Sequence, residues 1–139
     1  MNLKKPFFID FTKRGEPSLG YISIANLQPE GFPFEVKRVF WTYYTPESII
    51  RGRHAHYNTE QLLVAIAGRI IVTTESAGGL IETWVLDNPN VGLYLPPNYW
   101  HTMQYSHSAV QLAFASSLYD ERDYIRQYED FKAYYNESA

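Results

Sequence analysis

Apolar and aromatic residues alternate with polar ones in short runs between residues 6 and 116, and Gly, Pro or Asn separates the runs. A period of two places every second side chain on one face of a strand. The runs 6–11, 20–25, 34–44, 53–59, 61–68, 69–76, 80–87, 91–96, 100–106 and 109–116 therefore predict strands. Turn signals stand between them at Gly31-Phe32-Pro33, Gly78-Gly79, Asn88-Pro89-Asn90 and Pro96-Pro97-Asn98. The Gly78-Gly79 pair predicts a hairpin turn, because glycine supplies the positive φ that tight hairpins need. Only the tail, residues 119–135, carries a helical period: Tyr124, Tyr128 and Phe131 fall on one face, with Glu121, Arg122, Asp123, Arg126 and Glu129 among the solvated positions. Many short strands and one terminal helix predict an all-β antiparallel barrel or sandwich.

At 139 residues the chain is expected to form one domain over 1–139. A net charge of −3 argues against nucleic-acid binding, which needs clustered cations to displace counterions from phosphates. The chain has no cysteine, which removes disulfides, thiolate nucleophiles and cysteine-based zinc sites and fits a reducing compartment. The opening residues carry no apolar run of signal-peptide length, and no stretch approaches the roughly 20 apolar residues of a membrane span. A cytoplasmic protein is expected. Aromatics make up 17% of the chain, twelve of them tyrosine, and suit both a β core and the walls of a cleft or subunit interface.

Three of the four histidines fall where strands are predicted. His54 and His56 project from one face of a strand, and Glu60 keeps that parity if the strand continues. His101 follows the turn Pro96-Pro97-Asn98-Tyr99-Trp100, in which Asn98 stands at a position expected to be left-handed. HxH with a following Glu60 and Gly68, and then a Pro-turn-His hairpin, are the two motifs of a double-stranded β-helix, the cupin jelly roll. Imidazoles and a carboxylate converging in a barrel suit a divalent transition metal. The same groups without a metal make acid/base machinery, because histidine titrates near neutrality and its second nitrogen can be oriented by a carboxylate. Spacing does not separate these readings. Arg51 and Arg53 flank the HxH, and guanidinium forks fit phosphate oxygens, so a phosphorylated or nucleotide-linked ligand is expected. In 34–44, Trp41 and Tyr43 share one face and Phe40 and Tyr44 the other, so one of these tyrosines is expected in the cavity.

The order of KRVFWTYY, RGRHAHYNTEQLLVAIAG, GLYLPPNYWHTM and YDERDYIRQYEDF resembles the nucleotide-sugar 3,4-ketoisomerases of the cupin superfamily, the WxcM-like proteins. The resemblance runs from about Lys37 onward, and Lys13-Arg14-Gly15 is similar to the family's Arg-Gly turn. It implies a double-stranded β-helix acting on dTDP-4-keto-6-deoxyglucose. The carbonyl would move from C4 to C3 on the route to amino sugars of surface polysaccharides such as O-antigen. It further implies no metal or redox cofactor, and a homodimer that exchanges N-terminal β segments. His54 and His56 would be the acid/base pair and Tyr43 the accompanying tyrosine, with Arg51, Arg53, Glu60 and His101 binding substrate. Arg51 belongs to the family's RGxHAH string, whereas Arg53 stands where a smaller or apolar residue is common. Other readings of the same residues are a sugar-nucleotide epimerase, a metal-binding cupin acting as dioxygenase or sensor, and a silent sugar-binding module.

Overall fold

The computed structural model describes residues 4–138, with side chains through Tyr134; residues 1–3 and 139, the ends of the expected domain, lie outside the described residues. Twelve strands are β1 (Phe7–Asp10), β2 (Thr12–Glu16), β3 (Gly20–Ile24), β4 (Arg38–Thr42), β5 (Ile50–His56), β6 (Gln61–Ala67), β7 (Ile70–Glu75), β8 (Ile81–Leu86), β9 (Val91–Leu95), β10 (Trp100–Tyr105), β11 (Val110–Ala115) and β12 (Tyr124–Ile125). A 3₁₀ turn, Glu121–Asp123, precedes β12, and one helix, α1 (Tyr128–Ser138), closes the described chain. Two five-stranded antiparallel sheets, ordered β1-β9-β6-β11-β4 and β12-β5-β10-β7-β8, form the double-stranded β-helix. No helix among the described residues is long and apolar enough to cross a membrane.

Alternation builds the space between the sheets. Ile70, Val72 and Thr74 of β7 and Gln111, Ala113 and Ala115 of β11 are buried at every second position. They meet Leu63, Leu93, Leu95 and Met103 in the main core. Burying one such side chain contributes roughly 1.5–3 kcal/mol, so this layer carries the barrel. The expected hairpin at Gly78-Gly79 is present, with Gly79 at φ +94°, and Asn98 is left-handed at φ +71°. Two smaller clusters join strand residues to the segments that cover them: Leu62 and Tyr94 with Phe32, and Ala55 and Ile125 with Phe131 of α1.

Several boundaries differ from expectation. The run 34–44 forms a strand only over Arg38–Thr42, because Phe34 and Val36 pack against Phe32 and Leu62 outside the ladder. The expected strand 53–59 ends at His56, and a turn follows. The helix starts at Tyr128 rather than in the region of Tyr119. Asp120 accepts the Arg122 N–H and caps the 3₁₀ turn, and Tyr124 and Ile125 then pair with His56 and Ala55. An open β5 edge captures this segment, satisfying backbone groups that a helix would have left facing the edge. Thr12–Glu16, for which no strand was expected, pairs with β3 in a ribbon whose residues are all exposed.

Candidate active site

β5 and β10 lie side by side with His54 opposite His101, and the register breaks just beyond, where Thr102 pairs with Gly52. The extra residue is Arg53, and both Gly52 (φ +82°) and Arg53 (φ +55°) are left-handed, which makes a β-bulge. Glycine is required at 52 on a second ground: a Cβ there would stand 2.9 Å from the His101 carbonyl oxygen. His54 lines the cavity and Arg53 is exposed, its Nε 3.4 Å from the Ile50 carbonyl, and beyond the bulge Arg51 returns to the cavity side.

Three imidazoles therefore converge. The His54 and His101 ring centroids are 4.4 Å apart, those of His54 and His56 4.9 Å, and those of His56 and His101 6.1 Å. Each Nδ1 faces an acceptor: the Gly52 carbonyl at 2.9 Å for His54, Asp123 Oδ2 at 2.9 Å for His56, and the Tyr99 carbonyl at 3.3 Å for His101. An acceptor at Nδ1 puts the proton there and leaves Nε2 with a bare lone pair. Nε2 of His56 and of His101 are buried without a hydrogen-bond partner. Burial holds all three rings neutral: it lowers His54, takes His56 down to about 4 with help from the neighbouring His54, and pushes His101 well below 6.5.

A cavity of about 350 Å³ opens beside these rings. His54, His101, Arg51, Arg126, Tyr105 and Tyr124 are among its lining. Tyr124 lies against the imidazoles, its ring 4.4 Å from His56 and 5.0 Å from His54. Tyr105 donates to Gln111 Oε1 at 3.2 Å, and burial pushes its phenol up to about 12. Arg126 stacks over Tyr124 at 4.2 Å and pairs with Glu121. The arrangement has two chemical capacities. His54, His56 and His101 offer ligand atoms within 4.8 Å of one another and could hold a metal ion. Equally, bare imidazole nitrogens facing a cavity can accept and return protons.

His54, His56, His101 and Arg51 are thus brought together as expected, whereas three other residues are not. Glu60 sits beyond the end of β5, where it accepts from Tyr94 Oη and pairs with Lys4 at 2.6 Å; the turn after His56 breaks the parity on which its placement rested. Arg53 faces outward at the bulge. Tyr43 follows the end of β4 on the face of exposed Trp41, half exposed, with its ring edge-on to Tyr44 at 5.0 Å, because the inward positions of that strand are Arg38, Phe40 and Thr42. Asp123, Tyr124 and Arg126 were read as parts of a helix. Their signal is the alternation of Asp123-Tyr124-Ile125-Arg126, in which Tyr124 and Arg126 share a face of an extended segment and Ile125 the buried one.

Residues 4–136 match the family described as FdtA: WxcM-like, C-terminal. The chain is 42% identical over 112 residues to TDP-4-oxo-6-deoxy-alpha-D-glucose-3,4-oxoisomerase of Aneurinibacillus thermoaerophilus, covering 80% of both proteins. Its fold superposes on a 3,4-ketoisomerase from Helicobacter canadensis with a TM-score of 0.85 at 32% identity, covering 94% of this chain and 97% of that one. It superposes on QdtA, a sugar 3,4-ketoisomerase from Thermoanaerobacterium thermosaccharolyticum solved with TDP, with a TM-score of 0.89 at 28% identity, covering 99% and 98%. With a jelly roll, an HxH pair whose first member lines a cavity and a family match over residues 4–136, the chain belongs to the WxcM-like family.

Proposed function

We propose that this chain is a 3,4-ketoisomerase that takes a TDP-linked 4-keto-6-deoxyglucose and moves the carbonyl from C4 to C3. The observation that carries the reading is a cluster of three neutral imidazoles with ring nitrogens within 4.8 Å of one another, two of which, His54 and His101, line the cavity while His56 packs behind them. Balance of the reaction needs two proton movements: the proton on C3 ends on C4, and the proton on the C3 oxygen ends on the C4 oxygen, through an enediol. Neutral histidines are poised to accept each of these, contributing about 10²–10⁴-fold apiece. In this reading His54 and His56 are the acid/base pair. The phenol beside the hexose is Tyr124, which touches both rings, since Tyr43 lies outside the cavity lining. Arg51 and Arg126 line the cavity from β5 and from the segment after β12, and guanidinium groups there suit the diphosphate. Glu60, tied to Tyr94 and Lys4, does not reach the imidazoles.

The same reading includes a single domain over 1–139, cytoplasmic residence with the pool of nucleotide sugars, and a homodimer that exchanges N-terminal β segments. The exposed β2-β3 ribbon, bearing Leu19, Tyr21 and Ile22, supports the last of these. The test of the activity is incubation with TDP-4-keto-6-deoxyglucose in deuterium oxide, followed by NMR. Migration of the carbonyl to C3 with deuterium at C4 is the expected result. Exchange with the carbonyl left at C4 would make the protein an epimerase, and an unaltered sugar would end the proposal.

A further inference from the structure

Behind His56 stands a carboxylate that no sequence pattern identified. Asp123 reaches the ring from the 3₁₀ turn, and its side chain is largely buried. Its two oxygens are saturated with donors. Oδ1 accepts the Asn58 N–H at 2.8 Å. Oδ2 accepts the His56 Nδ1–H at 2.9 Å, the Thr59 N–H at 3.3 Å and the Thr59 hydroxyl. Thr59 Oγ1 lies 2.6 Å from Ser117 Oγ, and since the threonine proton is committed to Asp123, the serine must donate to it. The chain Ser117 to Thr59 to Asp123 is therefore directional and ends on His56. Burial would raise the Asp123 carboxyl, but the bonds from Thr59, Asn58 and His56 outweigh it and hold the group ionised below the usual carboxylate range.

Of the three imidazoles, only His56 is backed by a charge; the acceptors behind His54 and His101 are neutral carbonyls. In the free protein His56 is neutral, so its pair with Asp123 is an ordinary charge-assisted hydrogen bond. Once Nε2 takes up a proton, the ring becomes an imidazolium 2.9 Å from a carboxylate that its other donors keep from being protonated. The attraction then grows at the moment of proton transfer, which lowers a barrier rather than tightening ground-state binding.

We infer that Asp123 is a positioning residue for the isomerisation: it holds His56 in the Nδ1–H tautomer, with Nε2 bare and buried behind the cavity-lining His54 ring, and it stabilises the imidazolium formed when that nitrogen takes up the substrate proton. The inference rests on the ketoisomerase reading for its kinetic consequences and on geometry alone for the tautomer. It also gives the C-terminal segment a task. Tyr124 and Ile125 pair with β5, and Phe131 of α1 packs fully buried on Ala55 and Ile125, so the helix anchors the turn that carries Asp123.

The experiment compares wild type, Asp123→Asn and Thr59→Val. Asp123→Asn keeps the shape but removes the charge, and kcat is expected to fall by about 10²-fold with KM for the TDP-sugar nearly unchanged. Because Asp123 raises the His56 pKa against burial, its loss moves the acid limb of kcat/KM to lower pH. A merely structural role would not move that limb. Thr59→Val keeps the carboxylate, is expected to give a smaller fall in the same direction, and decides the matter if the asparagine variant does not fold. Imidazole ¹⁵N NMR of the free protein supplies a readout independent of turnover. Wild-type His56 is expected as the Nδ1–H form, and the variant is expected to lose that pattern. Unchanged kcat with an unmoved acid limb, or an unchanged His56 spectrum, would overturn the inference. If wild type leaves the sugar untouched, the ketoisomerase reading fails and the spectrum alone decides the role of Asp123.

Discussion

His54 and His101 face each other edge-on across β5 and β10, 4.4 Å apart, at the last register position before the bulge formed by Gly52 and Arg53. The bulge sets this relationship. Its extra residue shifts the pairing by one, so that Arg51, which plain alternation from His54 would turn outward, lines the cavity with it.

Replacing Gly52 by alanine should disturb both. The residue is at φ +82°, and its new Cβ would meet the His101 carbonyl oxygen at 2.9 Å and Met103 Sδ at 3.0 Å. A cost of about 2–3 kcal/mol follows from the left-handed backbone and the contact together. The melting temperature is expected to fall by roughly 5–10 °C, and kcat by more than tenfold as the rings lose their mutual geometry. Calorimetry and steady-state rates on Gly52→Ala check this; a variant as stable and active as wild type would show that the bulge does not set the site.

The residues that were legible in the sequence share a dependence on local pattern. His54 and His56 follow from strand parity, Asn98 from the turn it closes, and the position of His101 from that turn. Glu60 was misplaced because parity survives only while a strand continues, and this one stops at His56. Alternation alone turns both Arg51 and Arg53 away from His54, and the single inserted residue inverts the faces beyond Arg53, so that only Arg51 reaches the cavity. Asp123 reads as helical in the i, i+4 pattern of Tyr124 and Tyr128, and only pairing of Tyr124 with His56, a partner 68 positions earlier, overrides that pattern. Capture by an open strand edge leaves only the short alternation of Asp123-Tyr124-Ile125-Arg126 as a local trace, too short to outweigh the helical period that follows it.

His54→Asn and His56→Asn are each expected to lower turnover by about 10²-fold or more while the chain stays folded, since His54 lines the cavity, His56 packs against it, and neither ring belongs to the apolar core. Wild type treated with a strong chelator and desalted is expected to keep full rate if the imidazoles move protons. Loss of rate on chelation, restored by one divalent metal, would reassign His54, His56 and His101 as ligands.

Arg51 and Arg53 should separate. Arg51 lines the cavity and Arg53 points away from it. Arg51→Ala is expected to weaken TDP binding about tenfold or more in titration calorimetry, in keeping with loss of a charge-assisted phosphate contact. Arg53→Ala is expected to leave the constant within about twofold, and equal effects would remove the distinction drawn from the bulge.

Stability should decline in mild acid. The His56 ring titrates at about 4 in the folded chain, and His101 well below 6.5, whereas both return to about 6.5 when unfolded. Between those values the unfolded chain binds more protons, so stability is complete above about pH 6.5 and is lost as pH falls towards 4. Each such ring contributes a slope of up to about 1.4 kcal/mol per pH unit in that window. Thermal melts at pH 7.5 and pH 5 should differ clearly for wild type and less for His101→Asn. A melting temperature that holds constant across this range would mean that the rings are not buried neutral.

Assembly gives the last test. β1 pairs with β9 of its own chain, and among the described residues the ribbon of β2 and β3 beyond it pairs with no other strand, although it carries Leu19, Tyr21 and Ile22 exposed by 82%, 52% and 65%. A two-stranded ribbon is marginal by itself in water, and an apolar surface of this kind is expected to be covered. A second copy offers the same segment with the same edge, so the intact protein should scatter light as a dimer at low micromolar concentration. Removing the residues before Lys13 takes away β1 and the start of the ribbon and should give a monomer. Ile22→Glu, which places a charge on the ribbon without shortening the chain, should weaken the dimer in the same direction. A monomeric intact protein would refute the exchange of N-terminal segments, and a dimer that survives both changes would put the interface on another face.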